Sequence, residues 1–211
     1  MSSLTDKARS ILTRLMEKAS STEASPQVEV EEPQTELLTT VSDNNTSDVD
    51  GIHHINIWNN GKTELGRMLY QTANAPFSHP EFGHFASVLG FWQWLIEKNP
   101  DDELRRKYNG QIKKYLSRRG DRPTRFIANK EDIFFAINWM KIEQNQKIKE
   151  ALLASTLPFK EYYYFVGKTN VLRVDQRGHE WVCQMFEDIR TMMKQGIEPE
   201  PLDWSKFISK E

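Results

Sequence analysis

Residues 133–154 read Ile-Phe-Phe-Ala-Ile-Asn-Trp-Met-Lys-Ile-Glu-Gln-Asn-Gln-Lys-Ile-Lys-Glu-Ala-Leu-Leu-Ala. Ile137, Met140, Ile148, Ala151 and Leu152 fall at helical steps, so that one face is apolar. With no glycine or proline inside it, the run predicts a single helix, the longest in the chain. Upstream, Phe85, Val88, Phe91, Trp92, Leu95 and Ile96 form a second apolar face that ends before Pro100. A more polar helix is expected over 101–116, with Leu104, Tyr108, Ile112 and Tyr115 inward and Gly120 as its stop. Trp181, Val182, Met185, Phe186, Ile189 and Met193 mark a last helix, closed by Gly196. Strands are expected at 52–58, and at 162–166 and 171–174 around a Gly167 turn. The fold class is therefore α+β, predominantly helical, as a single domain with a few short strands.

Outside that domain the composition changes. Residues 1–21 carry four bases and two acids, 22–50 carry eight acids and no base, and 51–211 carry 24 bases and 20 acids. Every Phe, Trp and Tyr lies beyond residue 50. A segment such as 22–50 buries too little apolar surface to offset its ordering entropy, and reads as an acidic disordered linker. Ahead of it, Leu4, Ala8, Ile11, Leu12, Leu15 and Met16 recur at helical spacing after a Ser3/Asp6 capping pattern. This amphipathic helix over 1–21 is expected to dock on its own domain or fray, or else to serve as a partner-binding or dimerisation helix laid into a groove. Residues 51–211 form the catalytic or binding domain.

Several chemistries are excluded. No apolar run approaches the roughly 20 residues that cross a bilayer, and 1–19 has no signal-peptide core, so no membrane partner and a cytoplasmic, reducing location are expected. The one cysteine, Cys183, forms no internal disulfide and reads as core packing. His53 and His54 would face opposite sides of a strand, and His79 and His84 lack metal-ligand company, so no metal and no cofactor are expected. Neither a Walker nor a Rossmann glycine loop is present.

The densest feature is basic. Arg105, Arg106, Lys107, Lys113, Lys114, Arg118, Arg119, Arg122, Arg125 and Lys130 share 26 residues with a single acid, Asp121. A solvated helical face or a phosphate surface, for a nucleic-acid backbone or a dinucleotide ligand, fits this run. Arg105, Arg106, Lys113, Lys114, Arg118, Arg119, Arg122 and Arg125 are the candidate nucleic-acid contacts, with Tyr108, Tyr115 and Phe126 interleaved for stacking or for the core. A second feature is residues 59–67, which place Gly61, Lys62, Glu64, Gly66 and Arg67 just after a strand. Lys62 near Arg67 has a route to a lowered pKa and attack on a sugar C1, with Glu64 as proton shuttle. An ordinary surface turn fits the same residues.

Taken in order, several stretches resemble the NADAR family of N-glycosidases and ADP-ribosylglycohydrolases. Ile55-Asn56-Ile57-Trp58, then Lys62 and Leu65-Gly66-Arg67-Met68-Leu69, are similar to the family's strand, lysine and following helix. Ala73, Pro76 and Phe77 continue the spacing, and Gly83-His84-Phe85-Ala86-Ser87-Val88 before Gly90-Phe91-Trp92 resembles its Ser-Val-Glu helix start. Lys141-Ile142-Glu143-Gln144-Asn145 with Ala151-Leu152-Leu153-Ala154-Ser155 resembles its Lys-Phe-x-Gln-Asn helix, and Gly178 to Arg190 its final turn and helix. The likeness spans about residues 52–194.

The resemblance implies a helix-rich fold that hydrolyses an N-glycosidic bond. Family members act on riboflavin-pathway intermediates or remove ADP-ribose from guanine in DNA, which reverses DarT-type toxins, and phages carry such proteins as counter-defence. The basic stretch favours ADP-ribosylated DNA as the substrate. By resemblance Lys62 is the Schiff-base nucleophile, Trp92 walls the ligand, Arg67 contacts phosphate or ribose, and Gly178 belongs to the ligand-binding turn. Three departures stand out: Leu89 replaces the family glutamate, Tyr70-Gln71-Thr72 replaces Ser-Asn-Phe, and His179-Glu180 replaces Lys-Asn. Glu64, Glu81 or Glu180 is then expected to supply the acid, Glu180 first. A hydrolase and a catalytically inactive protein that sequesters modified nucleic acid or a toxin both fit these departures.

Overall fold

A computed structural model of the chain describes residues 49–166, 171–175 and 178–207. The amino-terminal helix and most of the acidic linker expected from the sequence lie outside the described residues, as does the Gly167 turn. The elements are β1 (Ile55–Asn56), α1 (Glu64–Leu69), β2 (Phe77–His79), β3 (Gly83–Phe85), α2 (Val88–Ile96), a 3₁₀ turn (Asp102–Arg106), α3 (Asn109–Arg118), α4 (Lys130–Glu143), α5 (Gln146–Ala154), β4 (Phe159–Lys160), β5 (Tyr162–Val166), β6 (Val171–Asp175), α6 (Glu180–Gln195) and a closing 3₁₀ turn (Trp204–Lys206). The strands form three two-stranded units: parallel β1–β4, and the antiparallel hairpins β2–β3 and β5–β6. The α+β class, rich in helix, agrees with the sequence reading.

Helix α4 is central. It buries Ile133, Phe134, Phe135, Ile137 and Ile142, and also Asp132, Asn138 and Lys141, against α2, α5, α6 and β2. Helices buried nearly all round lose the polar stripe of a surface helix. A second knot of rings fills the space beside it. Phe77 and Phe85 face each other across the β2–β3 pair, and Phe91, Phe82, His79, Trp94 and Trp204 close over them at centroid distances of 4.3–6.5 Å. Each such fully buried Phe contributes on the order of 1.5–3 kcal/mol through area removed from water.

Three expectations are corrected. The helix over 133–154 is two helices, because Gln144 and Asn145 leave it to serve β2. The Gln144 amide accepts from Ser78 N at 2.7 Å and donates to Ser78 O at 2.9 Å, imitating a ladder strand, while Asn145 Nδ2 donates to Pro76 O at 2.8 Å. The polar helix over 101–116 divides as well, into the 3₁₀ turn and α3. Its carbonyls are drawn across α2: Ser87 Oγ donates to Lys107 O at 2.8 Å, and Ala86 N to Arg105 O at 2.7 Å. Gly90 permits this passage, since a Cβ there would stand 2.6 Å from Leu104 O. The strand over 52–58 shortens to β1, as Gly51 turns at φ 85° and residues 51–53 fold back onto Val49.

Candidate functional site

The Lys62 turn is built from buried polar groups. Asp50 accepts from Asn56 N at 2.9 Å through Oδ1 and from Lys62 N at 2.6 Å through Oδ2. Asn56, 1% exposed, uses Oδ1 to accept from Tyr162 N at 3.1 Å, while its Nδ2 is buried with no partner among the described residues. His54 Nε2 meets the Tyr162 hydroxyl at 2.6 Å. A relay of hydrogen bonds therefore ties the Lys62 loop, through Asp50 and Asn56, to the strand that begins next to Glu161. Thr63 then caps α1 by accepting from Gly66 N at 3.1 Å.

Lys62 itself is exposed at this turn. Arg67 closes the loop, its Nη1 donating to Gly61 O at 2.7 Å and Lys62 O at 2.8 Å. Glu64 points outward and pairs with Lys147 of α5, whose charge and hydrogen bond hold its carboxyl below the usual range. An exposed carboxylate held ionised by a lysine is a poor proton donor. Glu180 is exposed in the first turn of α6, and Gly178 is exposed with φ 75°.

The acid that the sequence reading missed is Glu161, between β4 and β5. Its side chain is only 8% exposed, and Oε2 lies 3.2 Å from His179 Nδ1. Burial pushes the Glu161 carboxyl up, with the His179 charge opposing. The Glu161 charge also helps raise the Tyr70 phenol, after burial, and it contributes to Cys183, whose thiol burial pushes up to about 12. Cys183 is thus an inert packing group. Burial thus raises two acids, Glu161 against His179 at the start of α6 and Tyr70 after α1. No local motif marks Glu161; the nearest sequence signal was His179-Glu180, which contains its partner histidine.

Trp92 belongs to the same end of the molecule. Its ring lies 5.1 Å from Phe134, which meets Trp181 of α6 edge-on at 5.6 Å. Trp181 Nε1 is buried without a partner among the described residues, and Lys130 Nζ lies 5.5 Å from its ring. Leu89 joins this region through Leu89 N donating to Gln71 O at 2.8 Å, next to Tyr70. Lys62 precedes α1, Glu64 and Arg67 lie on it, and Trp92 sits with Phe134 and Trp181, next in sequence to Glu180. Among the described residues no group of His, Cys, Asp and Glu could hold a metal ion.

The basic set is largely committed to the fold. The buried Glu97 carboxylate accepts from Arg119 Nη1 at 2.8 and 3.1 Å, and it also pairs with Arg122 Nη1. Arg125 Nη2 donates to Glu97 O at 3.0 Å. Arg105 binds Asp102 at 2.6 Å and Phe82 O, with its guanidinium 4.3 Å from the Trp94 ring centroid. Arg106 and Lys107 pair with Glu103. Tyr115 turns inward, donating to Asp101 at 2.6 Å. Of the eight expected DNA contacts, Lys113, Lys114 and Arg118 remain exposed on α3 without an ion pair among the described residues. No family model, curated protein or solved structure matches the chain. No described helix is long and apolar enough to cross a membrane.

Proposed function

We propose that the chain is a NADAR-like ADP-ribosylglycohydrolase that removes ADP-ribose from guanine in DNA and so counteracts a DarT-type toxin, as phage counter-defence proteins of that family do. The reading is supported by one observation: a buried carboxyl with a raised pKa, Glu161, next to the strand that the Asp50–Asn56 relay ties to the Lys62 turn. Cleavage of an N-glycosidic bond needs a nucleophile for C1 and a proton for the departing base. The Lys62 amine forms the N–C1 bond as the C1–guanine bond breaks, and protonated Glu161 gives its proton to guanine. Opening of the ribose ring leaves an iminium on Lys62, and water adds to it. ADP-ribose then departs, Lys62 is regenerated, and a proton from that water returns to Glu161. His179 holds the carboxyl in place, and Trp92 with Phe134 and Trp181 walls the sugar's side.

A second reading, a non-catalytic protein that sequesters modified nucleic acid or a toxin, is favoured by Leu89 in place of a carboxylate beside Gln71. Incubation of the full chain with ADP-ribosylated single-stranded DNA, read by mass spectrometry, separates the two. The hydrolase releases free ADP-ribose, and borohydride traps an adduct at Lys62. Lys62→Ala and Glu161→Gln each lose turnover by roughly 100-fold or more while keeping affinity. The wild-type rate falls as pH rises through the raised Glu161 titration, since only the protonated acid donates. Undiminished binding with no released ADP-ribose would establish the sequestering protein instead.

A further inference from the structure

The cations left over from the fold lie beside an unusual side chain. Phe126 is 93% exposed, in a chain whose other large aromatic clusters are buried. Its position is not that of a loose loop. Arg125 N donates to Ile96 O at 2.7 Å, Lys98 N to Pro123 O at 3.0 Å, and Arg119 and Arg122 both grip Glu97. Those bonds clamp the end of α3 and residues 122–126 onto the end of α2, so Phe126 and the bare Arg118, Lys114 and Lys113 belong to one lobe. Internal ion pairs neutralise the inner arginines, and the outer three keep their charge in water.

An exposed ring costs the fold nothing in packing and offers a face to another flat group. Bases inside a duplex have both faces covered, whereas an unpaired base has one to share. We infer that this lobe is a binding surface for single-stranded DNA, with Phe126 stacking on one base and Lys113, Lys114 and Arg118 contacting the flanking phosphates. The inference rests on the DNA reading above and deepens it, naming the strand state of the substrate and the residues outside the reaction centre that hold it.

The test is fluorescence anisotropy of the full chain with an unmodified 20-nucleotide oligo-dT, titrated at several salt concentrations. Phe126→Ala weakens binding roughly 5- to 150-fold, the range for loss of one stacked base. It leaves the salt slope unchanged, because no phosphate contact is removed. Phe126→Trp restores affinity. The triple change Lys113→Ala, Lys114→Ala and Arg118→Ala lowers the magnitude of the log–log salt slope by about 2, as expected for three phosphates on a single strand. Equal affinity of Phe126→Ala and wild type, tighter binding of duplex or of single-stranded RNA, or no recovery in Phe126→Trp would each overturn the inference. Binding through Phe126 by a wild type that releases no ADP-ribose sinks only the hydrolase. Release of ADP-ribose with no affinity for oligo-dT sinks only this surface.

Discussion

Lys141 lies in the middle of α4 with 1% of its surface exposed, and it donates from Nζ to Leu69 O at 2.9 Å, with Phe186 nearby at 5.8 Å. Burial lowers its pKa from the ordinary 10.5 to about 7. The unfolded chain therefore binds one more proton than the native chain between those two values. Stability must rise with pH across that window and level off below pH 7, with a slope of about 1.4 kcal/mol per pH unit from this group alone. Between pH 7 and pH 9 the accumulated change is about 2–3 kcal/mol. Lys141→Met abolishes this dependence and leaves the Leu69 carbonyl unpaired, a penalty of about 1–3 kcal/mol that does not titrate. Urea denaturation of both proteins at pH 7, 8 and 9, with unchanged m-values, isolates the effect because all other groups cancel in the difference. Beyond that constant offset, the variant should fall behind wild type by about 2–3 kcal/mol more at pH 9 than at pH 7. A stability difference that stays flat across those pH values would refute the claim that Lys141 is held neutral in the core.

Two further outcomes follow from packing and charge. A Cβ at Gly66 would sit 2.2 Å from Asn56 O and 2.8 Å from Thr63 Oγ1, whereas one at Gly110 would meet nothing within 4 Å. Gly66→Ala should therefore lose roughly 3 kcal/mol or more, and Gly110→Ala should gain roughly 0.4–1 kcal/mol, both read by urea midpoint; equal effects would refute the contact of α1 with β1. Glu97→Gln keeps the shape but strips the counter-charge from Arg119 and Arg122, which are themselves 27% and 18% exposed. It should cost about 2–4 kcal/mol, below the full price of a buried broken pair, and hydrogen exchange should rise first at residues 119–126; wild-type protection there would refute the clamp.

Local pattern carried the helices whose apolar faces and stop signals agree. The last helix ends at Gly196, at φ 66°, where glycine alone is comfortable, and a period of 3.6 with such a terminator needs no partner to be read. The hairpin of β5 and β6 was legible for the same reason. Where the chain bends for a neighbour, periodicity was blind. Gln144 and Asn145 look like ordinary helix surface until β2 takes their amides, and 101–116 looks continuous until α2 pulls on its carbonyls.

The site divides in the same way. Sequence alone determined the helix-rich α+β class of the fold and an excess of positive charge between residues 105 and 130. Only the tertiary structure decided which cations face water, because an arginine's availability depends on a carboxylate such as Glu97 that lies 22 or 25 residues away. Only it exposed Glu161 as the buried acid, since a pKa is set by the groups that surround a carboxyl in space. Hydrophobic period is a property of neighbours along the chain, whereas desolvation and ion pairing are properties of neighbours across it.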